Sequence, residues 1–383
     1  MASKLHDEYL LQSWREEQYT IASQVVVLPE GSSFVALSST TTISHLSERY
    51  DLPSPCSNND GQTTTKDDEK YLLIGGVDVS FPVAADDEED ANIMGDAVAV
   101  YVILKYDKSN YGHSTNSTRS SPEVVYRSHK FYKLTTPYIP SYLAFREIDP
   151  IMELITQQRS HKPHLTPNVI MVDGNGQWHD RRAGLACFVG VKSGIPTIGV
   201  GKTFYSLDGV MEKSDVVRDV KDSVQNWYHD AYGKQQDDTD ESNTVKKRGL
   251  IVVNNESIPH DSNEMRVKQH SPPNLIAYED VLVKLHQVCS GLAIPMRSGK
   301  TETVLAYALV GHGGNNPTSN SSCNRKKKKL ARGSKNPIYV SCGSHISLLE
   351  AVSLVAWTSI ARIPEPIREA DLYGRQLLRE RAN

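Results

Sequence analysis

The chain reads as an α/β protein with a mixed sheet, an antiparallel meander followed by parallel strands, flanked by helices. Three observations support this reading. Apolar strand-like runs at 71–81, 97–106 and 122–132 follow one another with only polar loops between them, the pattern of a meander. From 141 the pattern alternates: helix 141–159, strand 168–173, helix 180–193, strand 195–200. That order implies parallel strands joined by crossover helices. Two more strand-like runs, 305–312 and 338–342, precede a helix opening at Ser347, with Glu350 three positions on as in a capping box.

Each element has its own cause. Residues 5–27 form an amphipathic helix, with Leu10, Trp14, Ile21 and Val25 near helical spacing. In the first strand Val77, Val79 and Phe81 alternate with Gly76, Asp78 and Ser80, so Asp78 faces away from the valines. Pro150 should divide the helical stretch around Glu147, with Asp149 capping the second piece. The final segment, IPEPIREADLYGRQLLRER, starts on two prolines and resumes as a charged helix carrying Asp371. Polar inserts occupy about 31–69, 206–300 and 313–336, and the chain is expected to form one domain over 1–383. No internal repeat is visible.

Composition narrows the function classes. With 383 residues and 38% hydrophobic content a sizeable core is available. The formal charge, 42 minus 46, is −4, so no global basicity advertises nucleic acid and any such partner must meet a local basic face. The 5 cysteines form no CxxC pair, which argues for reduced thiols and against zinc. Neither a secretory signal nor a run approaching the ~18 apolar residues of a membrane span is present, so the expected location is intracellular, in cytoplasm or nucleus. The basic run KKKKLAR at 326–332 is read as a flexible insert, a nuclear-import patch or a phosphate tether.

The chemistry points to carboxylates. PNVIMVDGNG places Asp173 at the carboxyl end of a buried strand, followed at once by a Gly174-Asn175-Gly176 turn. Ligands and catalytic groups of α/β sheets lie at such ends. Asp78 lies in a second apolar strand, where an unneutralised carboxylate is costly and a divalent cation is the first neutraliser to test. Oxygen ligands suit Mg²⁺ or Mn²⁺, and paired metal ions can activate water and stabilise a leaving alkoxide in phosphodiester hydrolysis. The competing account of Asp78, Glu147 and Asp371 is a set of solvated acids; that of Lys202 is a solvated lysine at a strand end rather than a phosphate contact. Pro137-Tyr138-Ile139-Pro140 forms a rigid apolar turn, either a packed loop or a wedge for a base stack. GVGKT and RSGKTE lack the earlier glycine of a P-loop, and GNGQWH lacks the third glycine of a dinucleotide fingerprint.

GGVDVSF, PYIPSYLAFRE, VDGNGQWHDRRAGLACFVGVKSGIPTIGVGK and RIPEPIREAD, in that order and over roughly half the chain, resemble the endonuclease V family. The resemblance implies an RNase H-like fold and Mg²⁺-dependent cleavage of RNA or DNA at the second phosphodiester bond 3′ to inosine or deoxyinosine. It matches Asp78, Glu147, Asp173 and Asp371 to the catalytic, metal-holding carboxylates and Lys202 to a lysine beside the scissile phosphate. It matches Tyr138 to a strand-separating wedge, and Gly174, Asn175, Gly176 and His179 to the pocket for the extruded hypoxanthine. Insert-rich composition resembles eukaryotic members and favours inosine-containing RNA as the main substrate.

There are departures from the family pattern. Ser344 and His345 follow Gly343 where Gly-His is usual, Ser141 stands where glycine commonly follows PYIP, and GVGKT replaces GVAK. The competing functions are a non-catalytic inosine-binding protein and a related nuclease acting on hybrids or junctions.

Overall fold

The computed structural model describes residues 2–30, 70–82, 96–111, 121–136, 138–207, 214, 216, 292–297, 303–310 and 336–382. Pro137, the basic run at 326–332 and most of the three polar inserts lie outside the described residues. Among the described residues one eight-stranded sheet has the order β3-β2-β1-β4-β5-β8-β7-β6. The strands are β1 (Tyr71–Ser80), β2 (Asp96–Asp107), β3 (Glu123–Lys133), β4 (Val169–Asp173), β5 (Thr197–Gly201), β6 (Leu292–Arg297), β7 (Val304–Val310) and β8 (Ile338–Ser344). The first three form the antiparallel meander, β1 pairs in parallel with β4, and β4 in parallel with β5. Antiparallel pairing then adds β8, β7 and β6.

Helices cover both faces. On one side lie α1 (Ala2–Gln24), α2 (Ala144–His161) and α3 (Leu185–Ser193), packed on Val77, Ala99, Tyr101, Ile170 and Val172. On the other lie α4 (Leu348–Thr358) and α5 (Glu365–Ala382), packed on Leu72, Ile74, Val100, Val169, Met171 and Val200. The alternation of β1 therefore gives Val77 to the α2 face and turns Asp78 to the α5 face. Ser347 caps α4, its Oγ accepting from the Glu350 N–H at 3.3 Å, while the Glu350 carboxylate accepts from the Tyr111 hydroxyl at 3.0 Å.

Three local expectations are corrected. Pro150 does not divide its helix: α2 runs unbroken through it and places Glu147 in its first turn. Burial of Ile148, Ile151, Leu154 and Ile155 against the sheet offsets the backbone bond that proline forfeits. The helix expected from 180 starts only at Leu185, because 177–184 form a hydrogen-bonded turn in which Arg182 takes a φ of +59°. Finally, 292–297, within the stretch read as an insert, pair as strand β6 despite Pro295. β6 ends the sheet order, and an edge strand tolerates proline.

Candidate active site

The register of β1 with β4 runs Gly76 to Met171 and Val77 to Val172. One further step brings Asp78 beside Asp173, two carboxylates at the carboxyl ends of adjacent parallel strands. Asp78 is buried and accepts a hydrogen bond from Ser80 Oγ at 3.1 Å. Lys202, just past β5, reaches back over both, its Nζ 2.6 Å from Asp173 Oδ2 and 3.4 Å from Asp78 Oδ1. Burial, a hydrogen bond with Asp78 and the charge of Asp78 hold the Asp173 carboxyl well above the usual range, against the pull of Lys202. Burial alone would lower the Lys202 ammonium, but the charges of Asp173 and Asp78 outweigh it and push it up to about 12.

Two other acids surround this pair. Glu147, buried in the first turn of α2, is pushed up to about 8 by burial and then by the charge of Asp78, while Arg146 acts the other way. Asp371 on α5 also helps raise Lys202 through its charge, and it is gripped by Arg375, whose Nε lies 3.0 Å from Asp371 Oδ1. Among the described residues, no three of the Asp, Glu, His and Cys side chains close into a ready-made metal cage. The structure pairs Asp78 with Asp173 and leaves Glu147 and Asp371 around them rather than joined to them.

The turn after Asp173 leads to a second feature. Gly174 has a φ of +152°, and its N–H donates to the Val200 carbonyl at 3.2 Å. Gly176 passes so close to β8 that a Cβ would lie 2.0 Å from the Cys342 carbonyl oxygen. Asn175 between them keeps a buried Oδ1 with no hydrogen-bond partner among the described residues. His179 is buried, and both ring nitrogens are used: Nδ1 accepts from the Arg181 N–H at 3.2 Å, so Nε2 carries the proton and donates to the Ser141 carbonyl at 2.9 Å. Burial lowers its pKa to about 4, so the ring is neutral. Tyr138 is 46% exposed, and Ile139 and Pro140 complete the described part of its loop.

Comparison with known proteins places this geometry. The family model for endonuclease V matches residues 57–245 and 319–372. The chain belongs to the endonuclease V family. Human endonuclease V is 27% identical over 310 residues, covering 80% of this chain and 72% of the human protein. Mouse endonuclease V is 28% identical over 309 residues, 80% of this chain and 60% of the mouse protein. Among solved structures, human endonuclease V superposes with a TM-score of 0.56 at 24% identity, over 97% of this chain and 100% of that one. Endonuclease V of Ciona intestinalis, solved with a 24mer DNA containing an inosine followed by a ribo-adenosine, gives 0.55 at 21% identity over 97% and 99%. The fold is RNase H-like, as the resemblance implied.

Where the endonuclease V pattern is broken, the structure shows what the replacements do. The pairing of β5 with β8 skips Gly343, a bulge that carries Ser344 and His345 toward α1. Ser344 Oγ accepts the Val26 N–H at 3.1 Å, so this serine fastens the segment after α1. His345 has a φ of +58°, donates its backbone N–H to the Val26 carbonyl and buries both ring nitrogens. Two groups around the site escaped the sequence reading. Arg362 donates to the carbonyls of Lys202 at 2.6 Å and Pro337 at 3.1 Å, holding the lysine's backbone. Asp180 and Tyr205 bind the loop of Tyr138 through Ser141. No local pattern signals either, because each acts across long stretches of chain.

Proposed function

We propose that the chain is a divalent-cation-dependent endonuclease that cuts RNA or DNA at the second phosphodiester bond 3′ to inosine or deoxyinosine. The observation that carries this reading is the Asp78–Asp173 pair at neighbouring strand ends, with the Lys202 ammonium against both. Membership of the endonuclease V family supports the nuclease class, and the Ciona intestinalis relative solved with inosine-containing DNA supports the choice of base.

The paired carboxylates fit a hard cation. Mg²⁺ is commonly held by one or two carboxylates, with water and substrate phosphate completing its shell. Asp78 and Asp173 would hold Mg²⁺ or Mn²⁺, with Glu147 and Asp371 completing the shell directly or through water. Bound there, the ion would supply Lewis-acid chemistry, lowering the pKa of a water and stabilising the departing oxygen. Lys202 offers a permanent positive charge beside the carboxylates, placed where it would pair with the scissile phosphate. Burial and the charge of Asp78 raise the Glu147 carboxyl, and a cation held beside it would favour the ionised form that a ligand needs.

The base is read apart from this centre. Tyr138 supplies an exposed aromatic ring to fill the stack that an extruded base vacates. The Gly174–Gly176 backbone and the neutral His179 ring line the receiving pocket, with the His179 nitrogens committed to protein partners. The test uses the full chain and matched single-stranded RNA and DNA oligonucleotides carrying one inosine, or adenosine in its place. With Mg²⁺ a single cut two bonds 3′ of inosine is expected, faster on RNA, and EDTA should stop it. Equal cutting of the adenosine control, or cutting indifferent to EDTA, overturns the reading.

A further inference from the structure

Ser141 ends the loop that carries Tyr138 with a φ of +71°, a conformation glycine adopts freely and serine does not. Something must hold it there, and the contacts show what. Its carbonyl accepts from Gln18 Nε2 at 2.6 Å, His179 Nε2 at 2.9 Å and Arg181 at 3.3 Å. Its hydroxyl donates to Asp180 Oδ2 at 2.6 Å, the oxygen that also accepts from the Tyr205 hydroxyl at 2.6 Å. The two hydroxyls touch each other as well. Two protons serve these three contacts, so two are hydrogen bonds at any instant and the third is a close oxygen approach.

We propose that Ser141, Asp180 and Tyr205 form a positioning clasp that holds the Tyr138 loop at a set distance from the base pocket and so helps select the purine. This deepens the proposed function and rests on it. Three separate stretches meet at the clasp: the Tyr138 loop, the His179 turn, and the segment just past Lys202. The Tyr205 ring runs parallel to that of His179, 5° apart in plane with centroids 6.2 Å apart, so the phenol hydroxyl also sets the ring that faces the pocket histidine. Asp180 is exposed, which separates the clasp from ordinary core packing. Burial works against its charge, but the two hydroxyls together with His179 and Arg181 hold its carboxyl below the usual range, and hydrogen bonds to a charged acceptor are the strong ones. A loop held at a set distance would admit hypoxanthine and reject guanine, which differs by an added exocyclic amino group, and a loosened loop would make room for it.

Ser141→Gly keeps the left-handed backbone and deletes the hydroxyl; Tyr205→Phe keeps the ring and deletes the hydroxyl. Amide hydrogen exchange over residues 138–143, measured without nucleic acid, should rise about tenfold in each single variant and no further in the double. Single-turnover cleavage should show the inosine-to-guanosine rate ratio falling by about tenfold, with the melting temperature unmoved. Unchanged exchange in both variants, or effects that simply add, overturns the clasp. Raised exchange with an unmoved ratio overturns its role in selection. A wild-type chain that leaves inosine uncut sinks the function reading instead, and the exchange measurement still decides the clasp.

Discussion

The Lys202 ammonium lies 2.6 Å from Asp173 and offsets the negative charge of the paired strand ends. Replacing it by methionine leaves Asp78 and Asp173 facing each other without that counter-charge. The Lys202→Met chain should melt at lower temperature in EDTA and gain a larger thermal shift from Mg²⁺ than wild type, since no resident cation competes. Cleavage should fall by about a hundredfold or more, the scale on which a fixed charge at a reacting phosphate acts. Thermal-shift titration checks the first part; an Mg²⁺ response equal to that of wild type contradicts it.

Asp173→Asn keeps the shape of the strand end and removes the charge. Cleavage of an inosine oligonucleotide should drop to background while binding, followed by gel mobility, persists, because the base pocket lies past the carboxylate. Full turnover by this variant in Mg²⁺ would remove the assignment of the pair. Asp371, already held by Arg375, should matter less: Asp371→Ala is expected to slow cleavage by about tenfold, the low end of the range for groups that reach a metal through water.

The paired acids were legible in the sequence for a physical reason. Period-two alternation in GVDVS and the strand-then-glycine pattern of VDGNG fix where each carboxylate emerges before any contact is known. Strand β6 was obscured because it lies at the end of the stretch read as a polar insert, and only the sheet order reveals it at the edge, where Pro295 is tolerated. Pro150 misled because the buried face of α2 outweighs one lost backbone bond. The clasp could not be read at all. Ser141 and Tyr205 are 64 positions apart, and hydroxyl-to-carboxylate contacts leave no periodicity in a sequence.

Gly176 gives a sharp structural test of the pocket. Its N–H donates to Ser341 Oγ at 2.9 Å, and the space for a methyl group is already filled by the Cys342 carbonyl. Backbone atoms of β8 cannot step aside without breaking the pairing with β5. Gly176→Ala should therefore cost about 3 kcal/mol or more, the upper end of overpacking penalties. Chemical denaturation measures it, and a loss under 1 kcal/mol, on the order of a tolerated surface change, would show the approach to be looser than described.

The buried neutral His179 makes stability depend on pH with a definite sign. Its folded pKa is lowered to about 4, first by burial and further by Arg181 and Arg182, while the bond to the Ser141 carbonyl works the other way. Unfolded, the same imidazole titrates near pH 6.5. Between these values the unfolded chain takes up a proton that the folded chain refuses, so the contribution is present above pH 6.5 and is lost as the pH falls toward 4. The full difference corresponds to roughly 3 kcal/mol at most. Glu147, pushed up to about 8, acts oppositely and favours the fold as the pH falls from 8 toward 4.5. Comparing wild type with His179→Gln isolates the histidine, since glutamine can still donate toward the Ser141 carbonyl. The melting temperature of the variant should fall less steeply than that of wild type between pH 6.5 and 4, and parallel curves would mean that His179 is protonated in the folded chain without penalty.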